Sequence, residues 1–161
     1  MTTDLPTIRA EAASIYAGLA HRHTHTPDQA AAATKVIELF LLAFKYHQYA
    51  EVRKLVAPDY KQHDQSVGTG RESIIDFAKN MRAEQIAKGV DPKEPGYVHI
   101  EYKRIFVDGE YVVPHMHIMR FPGDEGLQGI EPLSYKDGVF REHWACLQPI
   151  PKPEELRNPV F

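Results

Sequence analysis

Residues 97–121 read YVHIEYKRIFVDGEYVVPHMHIMRF, two runs rich in β-branched and aromatic residues on either side of an Asp-Gly dipeptide. Such runs are typical of β-strands, and Asp-Gly is typical of the tight turn in a hairpin. The pattern predicts strands over 97–107 and 110–121. A second Asp-Gly turn, at 137–138, separates predicted strands over 126–135 and 139–148. Residues 97–148 are therefore predicted to form an antiparallel meander.

The chain before this meander is predicted to be helical. Apolar residues recur at three- and four-residue spacing over about 6–19, from Pro27 to His47 or beyond, over 49–56, and from Arg71 to a stop at Gly89. Thr26, Pro27 and Gln29 match the N-cap, first-turn proline and capping box of a helix start. Helices followed by an antiparallel sheet indicate an α+β fold. The helices then cover one face of a curved sheet, whose concave side is either filled by side chains or open as a pocket.

Length and composition exclude several classes of function. The 161 residues, 43% hydrophobic and 25% charged, fit one globular domain with a proline-rich tail over 150–161. A net charge of −3 with scattered basic residues predicts no nucleic-acid partner. No apolar run is long enough for a membrane span, no secretory signal is recognisable, and the single cysteine makes no internal disulfide. We therefore expect a cytoplasmic protein with no membrane partner.

Histidines are the main candidates for function, because the chain contains nine. Three lie in a loop over 20–26 and are expected to be solvated. His115 and His117 share one face of the second predicted strand. This face is either a half-exposed surface or part of a substrate pocket, or the two histidines are ligands of a metal ion. His143 is also a polar ring in an apolar row, and His63 lies in an extended segment. The opposite row of the second strand is expected outside, where its apolar surface predicts a homodimer: Val112, Met116 and Ile118.

Four segments of the chain together resemble a known family. They are Tyr60-Lys61-Gln62-His63-Asp64, Gly70 at a helix start, Val107-Asp108-Gly109-Glu110-Tyr111-Val112-Val113, and Lys136-Asp137-Gly138-Val139-Phe140-Arg141-Glu142-His143-Trp144. This pattern, from about 35 to 148, resembles the SnoaL-like polyketide cyclases of the nuclear transport factor 2-like superfamily. The resemblance implies one SnoaL-like domain over 1–161, with its core at about 28–150. It also implies a sheet wrapped by N-terminal helices into a cone with an internal pocket.

The resemblance also implies a site. The family's cyclases act without metal or cofactor, and they place an acid/base Asp directly after the His-Trp pair, where this chain has Ala145. An alanine cannot exchange a proton, so a neutral imidazole is expected to replace the carboxylate. The catalytic candidates are four inward-facing histidines: His63, His115, His117 and His143. The substrate-binding candidates are wall residues and phenol donors: Phe40, Phe44, Tyr46, Tyr60, Trp144 and Ala145.

Three functions remain open at this point. The first is a cofactor-free enzyme that moves a proton on a small, hydrophobic, carbonyl-bearing secondary metabolite in a cyclisation, isomerisation or dehydration. In it, His63 and His143 are the acid/base groups and the small-molecule substrate is the partner. The second is a non-catalytic binding or dimerisation domain, because Ala145 removes the family's acid/base group. The third is a metal site made of His115, His117 and His143.

Overall fold

The computed structural model describes residues 3–161 and contains an α+β fold, as predicted. Four α-helices come first in the chain order, with one strand between the third and fourth: α1 (Leu5–Ala17), α2 (Pro27–Phe40), α3 (Tyr49–Leu55) and α4 (Arg71–Ala87). Seven strands form one sheet: β1 (Val56–Gln62), β2 (His99–Asp108), β3 (Tyr111–Met119), β4 (Leu127–Ile130), β5 (Leu133–Lys136), β6 (Val139–His143) and β7 (Cys146–Pro149). Within residues 3–161, no helix is both long and apolar enough to cross a membrane.

The sheet is the predicted meander with two breaks and one added strand. β2 pairs with one edge of β3, while β4 and β5 pair in succession with the other edge. β7 continues the sheet beside β4, and β6 continues it beside β5. β1 then joins β6 in parallel, a pairing that the sequence analysis did not predict.

Both breaks lie at the same place in the sheet. The predicted strand over 126–135 is interrupted at Glu131-Pro132, and the predicted strand over 139–148 is interrupted at Trp144-Ala145. Proline has no backbone N–H for a ladder hydrogen bond, and the Trp144 N–H donates to the Pro132 carbonyl at 2.9 Å. The two breaks therefore face each other, and the sheet changes direction there.

The helices cover the even-numbered face of β3. Val112 and Met116 are fully buried and Ile118 is nearly so, and all three belong to the main hydrophobic core. The expectation that this row lies outside is wrong. Side chains alternate along a strand, so burying this row turns Tyr111, Val113, His115 and His117 to the opposite side, called the outer face below.

The second helix begins and ends with defined local structures. The capping box is present as predicted, because the Gln29 N–H donates to Thr26 Oγ1 and the Thr26 N–H donates to Gln29 Oε1. The helix then widens into a π-helical turn over Leu41–Lys45. Phe40 and Phe44 flank this transition, with ring centroids 5.8 Å apart, and both rings reach the concave side of the sheet.

The loop between α1 and α2 packs against the sheet. His21 and His25 are half-buried, and the Nε2 atom of each lies 3.1 Å from the Ile105 carbonyl oxygen on β2. The expectation of three solvated histidines is therefore wrong for these two. Their rings attach the loop to the sheet.

Candidate active site

A cavity of about 310 Å³ lies between the helices and the concave face of the sheet. Its wall is mostly apolar and includes side chains from α2, the π-helical turn, α4 and β3: Phe40, Phe44, Ile74, Phe77, Met81 and Ile118. Gln62, Asp64, Glu131 and His143 supply polar groups to the same lining. An apolar hollow with a few convergent polar groups is the usual form of a small-molecule site.

The central polar pair of the cavity is His143 and Glu131. His143 ends β6, and Glu131 occupies the break between β4 and β5. Only 8% of His143 and 6% of Glu131 is exposed, and His143 Nε2 lies 3.0 Å from Glu131 Oε2. Ionisable groups this buried need partners, and here each is the partner of the other.

Gln62 determines which nitrogen of His143 carries the proton. Its Oε1 accepts from the backbone N–H groups of His63 and Asp64, at 3.1 and 3.4 Å, so its amide nitrogen must be the atom that faces His143. That nitrogen lies 3.1 Å from His143 Nδ1 and can only donate. Nδ1 of the neutral ring is therefore the acceptor, and Nε2–H donates to Glu131.

This network leaves one reactive atom free. Both ring nitrogens of His143 are engaged, whereas Glu131 Oε1 accepts no hydrogen bond from any group in residues 3–161. That oxygen lies beside Gly129, next to the cavity-lining side chains of Ile118 and Leu147. The carboxylate, rather than the imidazole, therefore presents an unoccupied lone pair in the cavity.

Further charged groups line the cavity. Hydrogen bonds from the Ser66 side chain and backbone lower the pKa of Asp64, which keeps this carboxyl ionised at neutral pH. Arg120 is held by Asp124 through Nε and Nη2, at 2.7 and 3.0 Å. The hydrogen bond from Arg120 is the main reason that the pKa of Asp124 is lowered to about 2. Glu84 from α4 completes the charged part of the lining.

The predicted wall residues Phe40, Phe44 and Ala145 all line the cavity, as does His143. His63 does not. Its ring stacks on Trp144 with centroids 4.5 Å apart, and its Nε2 lies 3.0 Å from Glu142 Oε2. His63 and Trp144 therefore form a surface cluster beside the cavity, which corrects the expectation that they face it. The reason is the alternation of side chains from Gln62 to His63 and from His143 to Trp144.

The expectation that His115 and His117 point into the cavity is wrong, because both lie on the outer face. His115 Nε2 is 3.0 Å from Gln128 Nε2, and His117 Nε2 is 2.8 Å from the Glu125 carbonyl oxygen. The Phe161 ring packs over both imidazoles. Burial, together with Arg104 and Lys103, lowers the pKa of His115.

The hypothesis of a metal site made of three histidines is also wrong. His143 lies on the other side of the sheet from His115 and His117, so the three rings cannot share one ion. Among residues 3–161, no group of three or more His, Cys, Asp or Glu side chains is arranged to hold a metal.

The two predicted phenol donors lie outside the cavity lining, which corrects that expectation. The Tyr46 hydroxyl donates to Glu11 on α1. Tyr60 is 1% exposed, and its hydroxyl has no hydrogen-bond partner in the described chain. Burial, with a smaller effect from the nearby Glu131, raises the pKa of Tyr60 far above its usual range.

Sequence reasoning missed Glu131, Gln62 and Asp64. A signal for Glu131 existed, since a carboxylate followed by proline in an otherwise apolar strand marks a break with a polar group beside it. Gln62 and Asp64 flank His63, and the alternation of an extended segment would have placed them on the opposite side from that histidine.

Comparisons with known proteins support the fold. No family model matches the sequence, and no curated protein matches it. Among solved structures, a candidate ketosteroid isomerase from Kribbella flavida superimposes with a TM-score of 0.53 at 22% identity, covering 84% of this chain and 92% of that one. A candidate isomerase of the SnoaL-like family from Agrobacterium tumefaciens gives 0.55 at 14% identity, with coverages of 73% and 98%.

A third match is the structure of TsrD from Streptomyces laurentii, with a TM-score of 0.53 at 18% identity, covering 73% of this chain and 88% of that one. These neighbours confirm the resemblance at the level of the fold: the chain has the SnoaL-like, nuclear transport factor 2-like fold. The same fold carries unrelated functions, so the activity must be argued from the site.

Proposed function

We propose that this protein is an acid/base enzyme that removes a proton next to the carbonyl group of a small hydrophobic substrate, with Glu131 as the base. The observation that carries the proposal is the free Glu131 Oε1, on a side chain only 6% exposed in an apolar cavity. A carboxylate oxygen with a free lone pair beside an apolar cavity can accept a proton from a substrate held within hydrogen-bond reach.

His143 is the positioning residue for that base. Its Nε2–H donates to Glu131 Oε2, which restrains the carboxylate and leaves Oε1 without a hydrogen bond. Gln62 in turn holds the ring through Nδ1. The chain Gln62–His143–Glu131 therefore orients one oxygen without occupying it, as the orienting partners of catalytic groups do in other enzymes.

Glu131 also offers an answer to the alanine at position 145. Ala145 lines the same cavity as Glu131, where the resemblance places the family's acid/base Asp. Ala145 lies in the break between β6 and β7, and Glu131 lies in the break between β4 and β5 that faces it. We infer that Glu131 supplies the carboxylate that is absent at position 145. Proton removal by Glu131 starts an aldol closure, a double-bond shift or a loss of water equally well, so all three reactions stay within the proposal. The two neighbours described as isomerases support the double-bond shift.

The test is α-proton exchange in D₂O with bicyclic ketones such as 2-tetralone, followed by mass spectrometry. The wild-type protein is expected to speed exchange well above the buffer rate. His143→Ala is expected to lower the rate about a hundredfold, because a misplaced base loses roughly that factor. His63→Ala is the matched control and should leave the rate near the wild-type value, since that ring stacks outside the cavity. Equal losses in both variants, or no exchange by the wild type, would contradict the proposal.

A second candidate function is a non-catalytic carrier of a small molecule, favoured by Ala145 and by the mostly apolar lining. It predicts a ligand that copurifies and is released unchanged by denaturation. Multiple-turnover exchange with any of the ketones would remove this alternative.

We also propose a homodimer, now on different residues from those expected. The outer face exposes four large apolar side chains, each at least 40% accessible: Phe106, Tyr111, Ile130 and Phe161. A grouped apolar surface of this kind is typical of a protein interface. Sedimentation as a monomer at micromolar concentration would contradict this proposal.

A further inference from the structure

The charges around the cavity are unbalanced. Asp64, Glu84 and Glu131 line it as carboxylates, and Arg120 is the one Lys or Arg side chain of residues 3–161 in the lining. Arg120 is already engaged by Asp124 through two side-chain contacts, and the same carboxylate also accepts the Arg120 backbone N–H at 2.9 Å. Its charge is therefore largely cancelled before any ligand arrives.

Glu131 makes this imbalance relevant to a ligand. It is more than nine-tenths buried, and its Oε1 atom, which has no hydrogen-bond partner in residues 3–161, lies near Gly129 among the cavity-lining side chains of Ile118 and Leu147. Asp64 belongs to the same polar group, since its backbone N–H donates to Gln62, whose amide nitrogen contacts His143. Asp64 Oδ2 makes no hydrogen bond within residues 3–161. A ligand that fills the cavity meets these oxygens in a region from which it has excluded water, where like charges repel strongly.

We propose that the cavity selects its substrate by charge: it binds apolar molecules that are uncharged or carry an ammonium group, and it rejects carboxylates and phosphates. An ammonium group contributes three donors for the unpaired carboxylate oxygens, whereas an anionic group finds no free cation in the lining. The inference rests on the proposed function in one respect only, namely that this cavity is the substrate site.

The experiment compares three naphthalene probes of one shape by isothermal titration calorimetry at neutral pH. They are 2-naphthylmethylamine, which is protonated, 2-naphthylmethanol, which is neutral, and 2-naphthoate, which is an anion. The amine and the alcohol are expected to bind, and the carboxylate is expected to bind at least about tenfold more weakly than the amine. Even at the dielectric constant of water, one attractive contact for the amine and one repulsive contact for the carboxylate together exceed about a tenfold difference. The gap should narrow at high salt, because ions screen the more exposed carboxylates.

Two neutralising variants identify the source of the preference. Asp64→Asn and Glu84→Gln should each reduce the ratio of amine to carboxylate affinity while leaving binding of the alcohol unchanged. Asp76→Asn is the matched control, since Asp76 lies on α4 like Glu84 but is exposed and outside the lining. Its ratio should equal that of the wild type.

The outcomes separate this inference from the proposed function. Equal binding of the carboxylate and the amine, binding of none of the probes, or an equal change in all three variants would overturn charge selection. The ketone exchange assay uses uncharged substrates, so it can succeed while charge selection fails. Conversely, charge selection with no α-proton exchange would support a carrier of apolar amines.

Discussion

The Gln62→Leu substitution tests how the structure sets the protonation of His143. Leucine keeps a side chain of similar size but removes both the donor to His143 Nδ1 and the acceptor for the N–H groups of His63 and Asp64. The His63 N–H keeps its bond to the His143 carbonyl at 2.9 Å, so one backbone donor loses its protein partner. His143 Nδ1 loses its donor as well, so two polar groups lack a protein partner, and at about 1 kcal/mol each the free energy of unfolding should fall by about 2 kcal/mol.

The effect on catalysis follows from the same contact. A neutral hydrogen bond contributes a net of about 1 kcal/mol, and about 1.4 kcal/mol corresponds to a tenfold change in rate, so we expect about a fivefold loss of α-proton exchange. The loss is small because the Nε2–H bond to Glu131 remains. Gln65→Leu is the matched control, being the same change on an exposed residue nearby.

Nitrogen-15 NMR of histidine-labelled protein is the direct assay. His143 is assigned from the signal that disappears in a His143→Gln variant. In the wild-type protein at a pH where the ring is neutral, Nδ1 is expected to be unprotonated and Nε2 protonated. In Gln62→Leu the Nδ1 signal should shift, because its hydrogen-bond donor is gone. A protonated Nδ1 in the wild type, or an Nδ1 signal unchanged by the substitution, would refute the reasoning.

Three further substitutions test the structural framework, each by chemical denaturation. Tyr60→Phe should leave stability unchanged or raise it by up to about 1 kcal/mol, because the buried hydroxyl has no partner to lose; a clear loss would contradict this. Glu38→Gln should cost about 1–2 kcal/mol at neutral pH, since Glu38 is buried between the partly exposed Lys35 and Arg9. Burial alone would raise the pKa of Glu38, but hydrogen bonds from Lys35 and Arg9 lower this pKa below 4.5. The cost of Glu38→Gln should therefore be fully present above pH 4.5 and disappear as the pH falls through the lowered pKa. A cost that persists in acid would contradict this. Gly126→Ala should lower the free energy of unfolding more than Gly109→Ala does. Both glycines have positive φ (89° and 55°), but only at position 126 would the added Cβ meet a backbone atom, the Ile118 oxygen, at 2.6 Å. Equal losses would argue against that contact.

The sequence predicts the order of elements well because their signals are local. The capping box at Thr26 and the two Asp-Gly turns act over a few residues, and the structure contains each of them. The parallel pairing of β1 with β6 was not predictable in this way, since it joins residues about 80 positions apart and extended segments carry no mark of their partner.

The candidate site was predicted only in part, for a physical reason. A period of two shows which residues share a strand face, and it correctly grouped His115 with His117. It does not show which face the helices cover, and both rows of β3 contain enough apolar residues to be buried. His143 and Ala145 line the cavity, whereas Glu131 is not among the predicted residues because the predicted strand over 126–135 runs through Pro132 without a break.

The central claim is that Glu131, held by His143, is the group that takes the proton. The most direct measurement is the rate of ketone α-proton exchange by Glu131→Gln compared with Glu142→Gln, the same change at a carboxylate that pairs with His63 at the surface. The account predicts a loss of about 10²–10⁴-fold for Glu131→Gln, the usual contribution of a general base, and a near wild-type rate for Glu142→Gln. Retention of the wild-type rate by folded Glu131→Gln protein would contradict the account.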